Sequence, residues 1–171
     1  MTDIQKSIVR ELDTLTLLKK ISVAKICNDV GLYFGQPPII EYIRYHDGCT
    51  QKNIAEFFNV TPASIALSTK RLQKAGYIEK KTDEHNLRCN SLHVTEQGEK
   101  VSLQWREKLD LFMQDIFSDF TQDELETFCS FLRRMNDNTS GGKQIRSDKE
   151  FFDLLNEAKM TEKNNTEVEN G

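Results

Sequence analysis

Residues 50–95 constrain the fold most, because they combine two short helix patterns, a tight turn between them and two strand-like runs after them. Thr61-Pro62 pairs a helix N-cap with proline at the first helical position, Gly76 is placed to end that helix, and Ile65, Leu72 and Ala75 would face the core. Asn59 suits the preceding turn, because asparagine tolerates the left-handed backbone conformation. The two later runs flank a polar tip, which is typical of a β-hairpin. This order predicts a helix-turn-helix followed by a hairpin wing, a shape that lays one helix in the major groove of DNA.

Longer helical patterns lie on both sides of this segment. Residues 4–26 carry apolar side chains at three- and four-residue intervals, as an amphipathic helix does. A similar pattern follows Thr95, and Thr121-Gln-Asp-Glu124 matches the capping box that opens another helix. The sequence therefore predicts a mostly α (α+β) protein in which the wing supplies the small β part.

The charge of the chain is unevenly distributed. The 171 residues carry a net charge of −4, but residues 50–95 hold seven basic and four acidic side chains, a balance of +3. Residues 96–171 hold ten basic and seventeen acidic side chains, a balance of −7. Positive charge on the predicted helix-turn-helix favours contact with phosphates, so we expect double-stranded DNA as a partner although the whole chain is acidic.

Several classes of protein are disfavoured by what the sequence contains. It has no run of about 18 apolar residues, and charges interrupt the apolar pattern at its N-terminus. We therefore expect a cytoplasmic protein without a membrane partner. The sequence shows no nucleophile with a paired histidine, no glycine-rich phosphate loop and no carboxylate cluster set apart from helix surfaces, so we expect neither an enzyme nor a bound cofactor.

The cysteines offer a weak alternative. His46-Asp-Gly-Cys49 and His85-x-x-x-Cys89 have the residue types of zinc ligands, but each falls short of four, and we expect no metal site. A redox role for Cys27 or Cys49 requires a lowered thiol pKa. A thiol- or metal-responsive regulator stays open as an alternative function.

The ordered set of motifs resembles the MarR (multiple antibiotic resistance regulator) family. The resemblance covers roughly residues 30–100 in motif and 1–138 in helix order. It implies a homodimeric winged-helix repressor of transcription, with helices from both chain ends forming the dimer frame and a pseudo-palindromic operator. The residues that carry it are Gly48-Cys-Thr-Gln-Lys-Asn-Ile-Ala55, Val60-Thr-Pro-Ala-Ser64, Arg71-Leu-Gln-Lys-Ala-Gly76, Tyr77-Ile-Glu-Lys80, Asn86-Leu-Arg88 and Val94-Thr-Glu-Gln-Gly98.

Two positions depart from the family pattern. The family has Asp-x-Arg at the wing, where this chain has Asn86-Leu-Arg88, so the resemblance gives Arg88 the minor-groove role without the steadying carboxylate. The helix that begins at Thr61-Pro62 is the one expected to enter the major groove, and we call it the reading helix. Where the family has a long polar residue on this helix, this chain has Leu67, which favours contact with thymine methyl groups. The Ala66 side chain cannot form a hydrogen bond. Direct base readout is therefore expected to be sparse. The alternative is a winged-helix protein-interaction module without specific DNA readout.

The predicted DNA contacts follow from residue chemistry. Small residues let the helix backbone approach the bases, and the N–H groups of a first helical turn can bind phosphate oxygens. Lysine and arginine on the helix suit phosphates, whereas an arginine at the hairpin tip suits a narrow minor groove. The predicted DNA-binding residues are Thr50, Gln51, Thr61, Pro62, Ala63, Ser64, Ala66, Leu67, Lys70, Arg71, Lys81, Asn86 and Arg88.

Five segments are predicted. They are an N-terminal dimerisation helix (1–34), a winged helix-turn-helix DNA-binding domain (35–95), C-terminal dimerisation helices (96–138), a linker with an extra helix (139–160) and a disordered tail (161–171). The apolar residues assigned to dimerisation are Ile8, Leu12, Leu15, Leu109, Phe112, Phe128 and Leu132.

A cluster of aromatic residues could line a pocket between the DNA-binding domain and the dimer frame. Aromatic side chains more often belong to a core, and that alternative is kept open. The pocket would bind a small lipophilic or aromatic ligand acting as effector. Its predicted residues are Tyr33, Phe34, Tyr42, Tyr45 and Trp105.

Overall fold

The computed structural model describes residues 1–82, 90–143 and 150, and of Thr82 only the backbone. Within these residues the chain forms six helices and one antiparallel hairpin, which confirms the predicted mostly α winged helix-turn-helix class. The elements are α1 (Asp3–Asp29), α2 (Gln36–Tyr45), α3 (Gln51–Phe58), α4 (Pro62–Lys74), β1 (Ile78–Thr82), β2 (Asn90–Val94), α5 (Glu96–Ile116) and α6 (Gln122–Ser140).

The predicted helix boundaries rest on local hydrogen bonds that the structure contains. Thr61 caps α4 by accepting a hydrogen bond from the Ser64 N–H at 3.2 Å. At α6, the Glu124 carboxylate accepts a hydrogen bond from the Thr121 N–H at 2.8 Å, and this bond lowers the pKa of Glu124. Asn59 takes the left-handed conformation at the end of α3, with φ of 49°. Each signal therefore acts over three or four residues, as predicted.

Besides pairing with each other, the two strands of the wing have a third backbone neighbour, the loop before α3. In the hairpin, Ile78 lies opposite Val94 and Lys80 lies opposite Leu92. The loop before α3 joins the open edge of β2, because Gly48 donates its N–H to the Leu92 carbonyl at 3.0 Å and Leu92 donates to the Cys49 carbonyl at 2.9 Å. The base of the wing is thus anchored to the end of the α2–α3 loop.

The hydrophobic core lies inside the winged helix-turn-helix. It packs α2, α3 and α4 against the hairpin and the first turns of α5. The prediction that Ala75 faces this core is wrong, because Ala75 caps the end of α4 and is exposed. Thr69 is fully buried on that side of the helix instead. The core residues are Cys27, Leu32, Ile39, Ile40, Ile43, Cys49, Ile54, Ala55, Ile65, Leu72, Ile78, Leu92 and Val101.

Helix α5 begins in close contact with the wing. Gly98 lies in its first turn, where an added methyl group would overlap the Tyr77 carbonyl oxygen. A glycine is therefore required for the backbone of α5 to approach the start of β1 this closely.

A polar joint connects α2 to α5. The Glu41 carboxylate accepts hydrogen bonds from Arg44, at 3.0 Å to Nη2, and from the buried Ser102 hydroxyl on α5. Arg106 Nε lies 3.6 Å from the same carboxylate. One half-buried glutamate thereby links the DNA-binding domain predicted at 35–95 to a helix predicted for dimerisation.

The helical frame, which comprises α1, α5, α6 and the turn between the last two, exposes much of its apolar surface. Of the described residues, α6 buries none and α1 buries Cys27 alone. Ile8, Leu15 and Phe128 are exposed, whereas Leu12, Leu109, Phe112 and Leu132 are partly buried. Further apolar residues of the frame that are exposed are Ile4, Val9, Leu17, Leu18, Ile21, Leu103, Leu111, Phe117, Phe120, Phe131 and Met135.

The predicted C-terminal segments lie mostly outside the described residues. Helix α6 runs to Ser140, two residues beyond the predicted boundary at 138, and Gly141 ends it in the left-handed conformation. Glu150 is helical, but the rest of the predicted extra helix and the tail at 161–171 are not described. Among the helices that are described, none combines the length and apolar character needed to cross a membrane.

Candidate nucleic-acid interface

Helix α4 presents one face to the core and the opposite face to solvent. Ile65, Thr69 and Leu72 are buried. Every predicted DNA-contacting residue of the helix is exposed, namely Pro62, Ala63, Ser64, Ala66, Leu67, Lys70 and Arg71. The face is therefore small and partly apolar at its N-terminal end and cationic at its C-terminal end.

The N-cap residues of α3 and α4, Thr50 and Thr61, differ in whether their hydroxyl groups can still donate a hydrogen bond to a phosphate. The Thr61 side-chain oxygen accepts the Ser64 N–H, which leaves its hydroxyl hydrogen to donate. Thr50 is more fully engaged, because its hydroxyl donates to Asn53 Oδ1 at 2.7 Å and accepts the Asn53 N–H at 3.2 Å. Thr61 is consequently the better placed of the two to donate to a phosphate oxygen.

Gln51 is directed toward α4. Its side-chain amide donates to the Thr69 hydroxyl at 2.6 Å, and Thr69 in turn donates to the Ile65 carbonyl at 2.8 Å. Thr69 has no exposed surface, so this hydrogen bond lies between the two helices of the helix-turn-helix. Gln51, predicted as a DNA contact, therefore stabilises the angle between α3 and α4.

Arg71 is paired with an aromatic ring. Its guanidinium carbon lies 4.9 Å from the centroid of the Tyr33 ring, in the loop between α1 and α2. Lys70 lies on the same exposed face of α4. Arg71 is therefore in contact with a residue 38 positions earlier in the chain.

Lys81 is the predicted contact on the wing. Its ammonium nitrogen lies 2.8 Å from Glu79 Oε1, and this hydrogen bond raises the pKa of Lys81. The pair is exposed, and exposed ion pairs are weak, so Lys81 can exchange Glu79 for a phosphate. Asn86 and Arg88 at the wing tip lie outside the described residues.

A hydrogen-bonded chain at the base of the wing was missed from the sequence. His93 Nδ1 lies 2.7 Å from Asp47 Oδ1, and His93 Nε2 lies 3.0 Å from the Ser91 hydroxyl. Ser91 donates to the Lys81 carbonyl at 3.1 Å. The chain joins both strands of the wing to the α2–α3 loop. Asp47 and His93 are 46 residues apart, so no local motif could have indicated it.

The five aromatic residues predicted for an effector pocket have separate environments. Tyr33, Phe34 and Tyr45 are exposed, and Tyr45 lies under the Arg44 guanidinium at 4.2 Å. Tyr42 packs against His46 with ring centroids 4.2 Å apart and against two phenylalanines of α3. Trp105 is on α5, where its indole N–H interacts with Cys27.

The cysteines of the core are poor candidates for a reactive thiol. Burial raises the pKa of Cys49 to about 11, and it also raises the pKa of Cys27, an effect that the Trp105 N–H partly offsets. A redox site requires the opposite shift. Within the described residues no group of three metal-binding side chains is present, and Cys129 is the exposed free thiol among them.

Comparison with known proteins places this geometry among transcription regulators. The model of the MarR family matches residues 36–90. The uncharacterized HTH-type transcriptional regulator YybA of Bacillus subtilis (strain 168) is 32% identical over 110 residues, which are 64% of this chain and 73% of that protein.

Two solved structures share the fold. One is a putative MarR family transcriptional regulator from Clostridium acetobutylicum, 25% identical, with a TM-score of 0.67 over 77% of this chain and 98% of that one. The other is a single-substitution mutant of MepR from S. aureus bound to an oligodeoxyribonucleotide, 19% identical, with a TM-score of 0.63 over 77% of this chain and 97% of that one.

Proposed function

Because this chain belongs to the MarR family of winged helix-turn-helix transcriptional regulators, we propose that it binds a pseudo-palindromic operator as a homodimer and represses transcription. The observation that carries the proposal is the exposed face of α4, on which small residues of the first turn precede Lys70 and Arg71. A helix with such a face can enter the major groove while its cations bind phosphates. MepR, which has this fold, was solved bound to DNA.

The homodimer is supported by the apolar surface of the helical frame. Exposed apolar residues line α1, the far end of α5 and α6, and many of them are large. This many large exposed apolar residues on one set of helices is typical of an interface, because exposing them to water is unfavourable. A two-fold axis through the frame would present two copies of α4 to half-sites about 10 base pairs apart.

Selection of duplexes from a random DNA pool tests the proposal directly. We expect the recovered sequences to share an inverted repeat, and the affinity to fall steeply with salt as counterions leave the phosphates. Lys70→Ala should weaken all duplexes about equally, and Arg88→Ala should weaken binding through the wing. Recovery of no common sequence, with weak binding to every duplex, would contradict an operator-specific regulator.

An effector that releases the DNA is part of the same proposal. Among the described residues, the buried nitrogens Trp105 Nε1 and Arg106 Nε have no oxygen within hydrogen-bonding distance, although the first interacts with the Cys27 thiol and the second lies 3.6 Å from Glu41 Oε1. An aromatic ligand with an acceptor oxygen could satisfy them beside the Glu41 joint. A screen for compounds that release the selected duplex tests this, and Trp105→Phe should weaken the response to any active compound.

A second candidate function is a protein-interaction module. Leu67 favours it, because this leucine lies on the face of α4 with 52% of its surface exposed, and Ala66 beside it cannot hydrogen-bond. Such a module would retain only salt-sensitive, sequence-independent DNA binding. The same selection experiment separates the two functions, since only the operator-binding protein enriches an inverted repeat.

A further inference from the structure

Tyr33 combines a rigid backbone with an exposed ring. Its N–H donates to the Gln36 side-chain oxygen at 2.8 Å, and Gln36 donates its own N–H to the Tyr33 carbonyl at 3.0 Å. Gln36 is buried, so this reciprocal pair is partly shielded from water. Tyr33 as a whole residue nevertheless has 59% of its surface exposed. The core therefore does not require this side chain, although two hydrogen bonds hold the backbone that carries it.

The ring supports the guanidinium of Arg71. The separation of 4.9 Å is within the range of a cation–π interaction, and arginine binds an aromatic face with its plane while its N–H edges stay free. Among the described residues no carboxylate forms an ion pair with Arg71. Its donors are thus available to a ligand, and its five N–H groups match the geometry of a phosphate.

We propose that Tyr33 is a positioning residue for DNA binding, which holds the Arg71 guanidinium at the edge of α4 where it binds a backbone phosphate. This inference rests on the proposed function. An exposed arginine loses side-chain entropy when it binds a phosphate, and a ring that restricts it beforehand reduces that loss. Tyr33 need not touch DNA to have this effect.

Tyr33, which the sequence assigned to an effector pocket, lies beside α4. Tyr33 follows α1 and precedes α2, so it connects the helical frame to the DNA-binding domain. The Tyr33 ring contacts Arg71 of α4. A side chain of the inter-helix loop thereby determines where a cation of the reading helix lies.

A double-mutant cycle on Tyr33 and Arg71 tests the proposal. Affinity is measured by fluorescence anisotropy on two probes, the duplex recovered by selection and a mixed-sequence duplex of about 40 base pairs at low salt. We expect Tyr33→Leu to weaken binding about threefold per protomer, or roughly tenfold for a dimer, on both probes, because a phosphate contact is independent of sequence. Tyr33→Phe keeps the ring and should bind like the wild type.

The interaction between the two positions is the decisive measurement. Arg71→Ala should weaken binding at least as much as Tyr33→Leu, and adding Tyr33→Leu to Arg71→Ala should cause little further loss. Arg71→Lys keeps the charge but not the planar group, so it probes the same contact even if Tyr33→Leu is unstable. Additive losses in the double variant, or wild-type affinity of Tyr33→Leu, would overturn the proposal.

Tyr45 provides a matched control. It is also an exposed tyrosine beneath an arginine, with Arg44 at 4.2 Å, but it lies on α2. Tyr45→Leu should leave DNA affinity unchanged, and a loss equal to that of Tyr33→Leu would assign the effect to general destabilisation and overturn the proposal. Wild-type protein that binds neither duplex would instead refute the proposed function itself.

Discussion

The winged helix-turn-helix and the helical frame differ in where their apolar side chains lie. The first buries isoleucines and leucines from α2, α3, α4 and both strands in a common core. The second, in the part of the chain that the structure describes, contributes Cys27 from α1 and the start of α5 to that core and nothing from α6. The winged helix-turn-helix is therefore stabilised by its own packing, whereas the frame leaves much of its apolar surface exposed in the protomer, as the proposed homodimer requires.

The largest expected effect concerns the core. Ile43 on α2 is fully buried, so Ile43→Ala should lower the free energy of unfolding by about 2–5 kcal/mol through lost burial and the cavity left behind. Urea titration followed by circular dichroism measures it. Leu67→Ala is the control, because this half-exposed side chain should contribute less than about 0.5 kcal/mol. Equal effects of the two substitutions would break the distinction between core and surface.

The second prediction concerns the frame. Phe128 on α6 is exposed in the protomer, so Phe128→Ala should weaken self-association by about 1–2 kcal/mol per protomer while leaving the core intact. Sedimentation velocity over a dilution series detects the shift toward monomer. Leu67→Ala again serves as control and should not change the mass. A wild-type protein that stays monomeric at every concentration would contradict the role given to the frame.

The third prediction concerns the joint between the two regions. Glu41→Gln keeps the shape of the side chain but removes the charge shared by Arg44 and Arg106, and we expect a loss of roughly 1–2 kcal/mol in unfolding free energy. Ser102→Ala removes the hydroxyl that donates to Glu41, and its effect should not add to that of Glu41→Gln. Additivity of the two losses, measured by urea titration, would show that the joint does not act as a unit.

The effect that is smallest at neutral pH should appear only under alkaline conditions. Burial raises the pKa of Cys49 from 9.0 to about 11, so the folded protein disfavours the thiolate that the unfolded chain forms first. The stabilising contribution of the neutral thiol is complete below pH 9 and is lost as the pH rises toward 11. Cys49→Ala should reduce this alkaline decline in the urea midpoint. Cys129→Ala, at an exposed thiol of the frame, should leave the decline unchanged.

The parts of the fold that could be predicted were those with local causes. The N-caps at Thr61 and Thr121 and the left-handed Asn59 each depend on residues within one helical turn. The amphipathic pattern likewise placed Ile65 and Leu72 in the core. Ala75 was assigned wrongly because periodicity alone does not show where a helix ends, and α4 ends one residue before it.

The candidate site was less predictable, because its geometry depends on contacts between distant parts of the chain. Gln51 has the chemistry of a phosphate ligand, yet its amide binds Thr69, 18 residues later. The chain of hydrogen bonds through His93 joins residues 46 positions apart. Such partners depend on the angles at which helices pack, and a single sequence contains no local signal for those angles.

By itself the sequence determined the order of elements, the helix starts and the side of each helix that is apolar, because capping and hydrophobic periodicity act between near neighbours. The tertiary structure alone decided which polar side chains of α3 and α4 hydrogen-bond to other elements and which stay exposed. Gln51 and Arg71 illustrate this division, since packing of α3 directs Gln51 inward and the α1–α2 loop brings Tyr33 beneath Arg71. The reason is physical, since a hydrogen bond or a cation–π contact requires a few ångströms of proximity that only the packed chain provides.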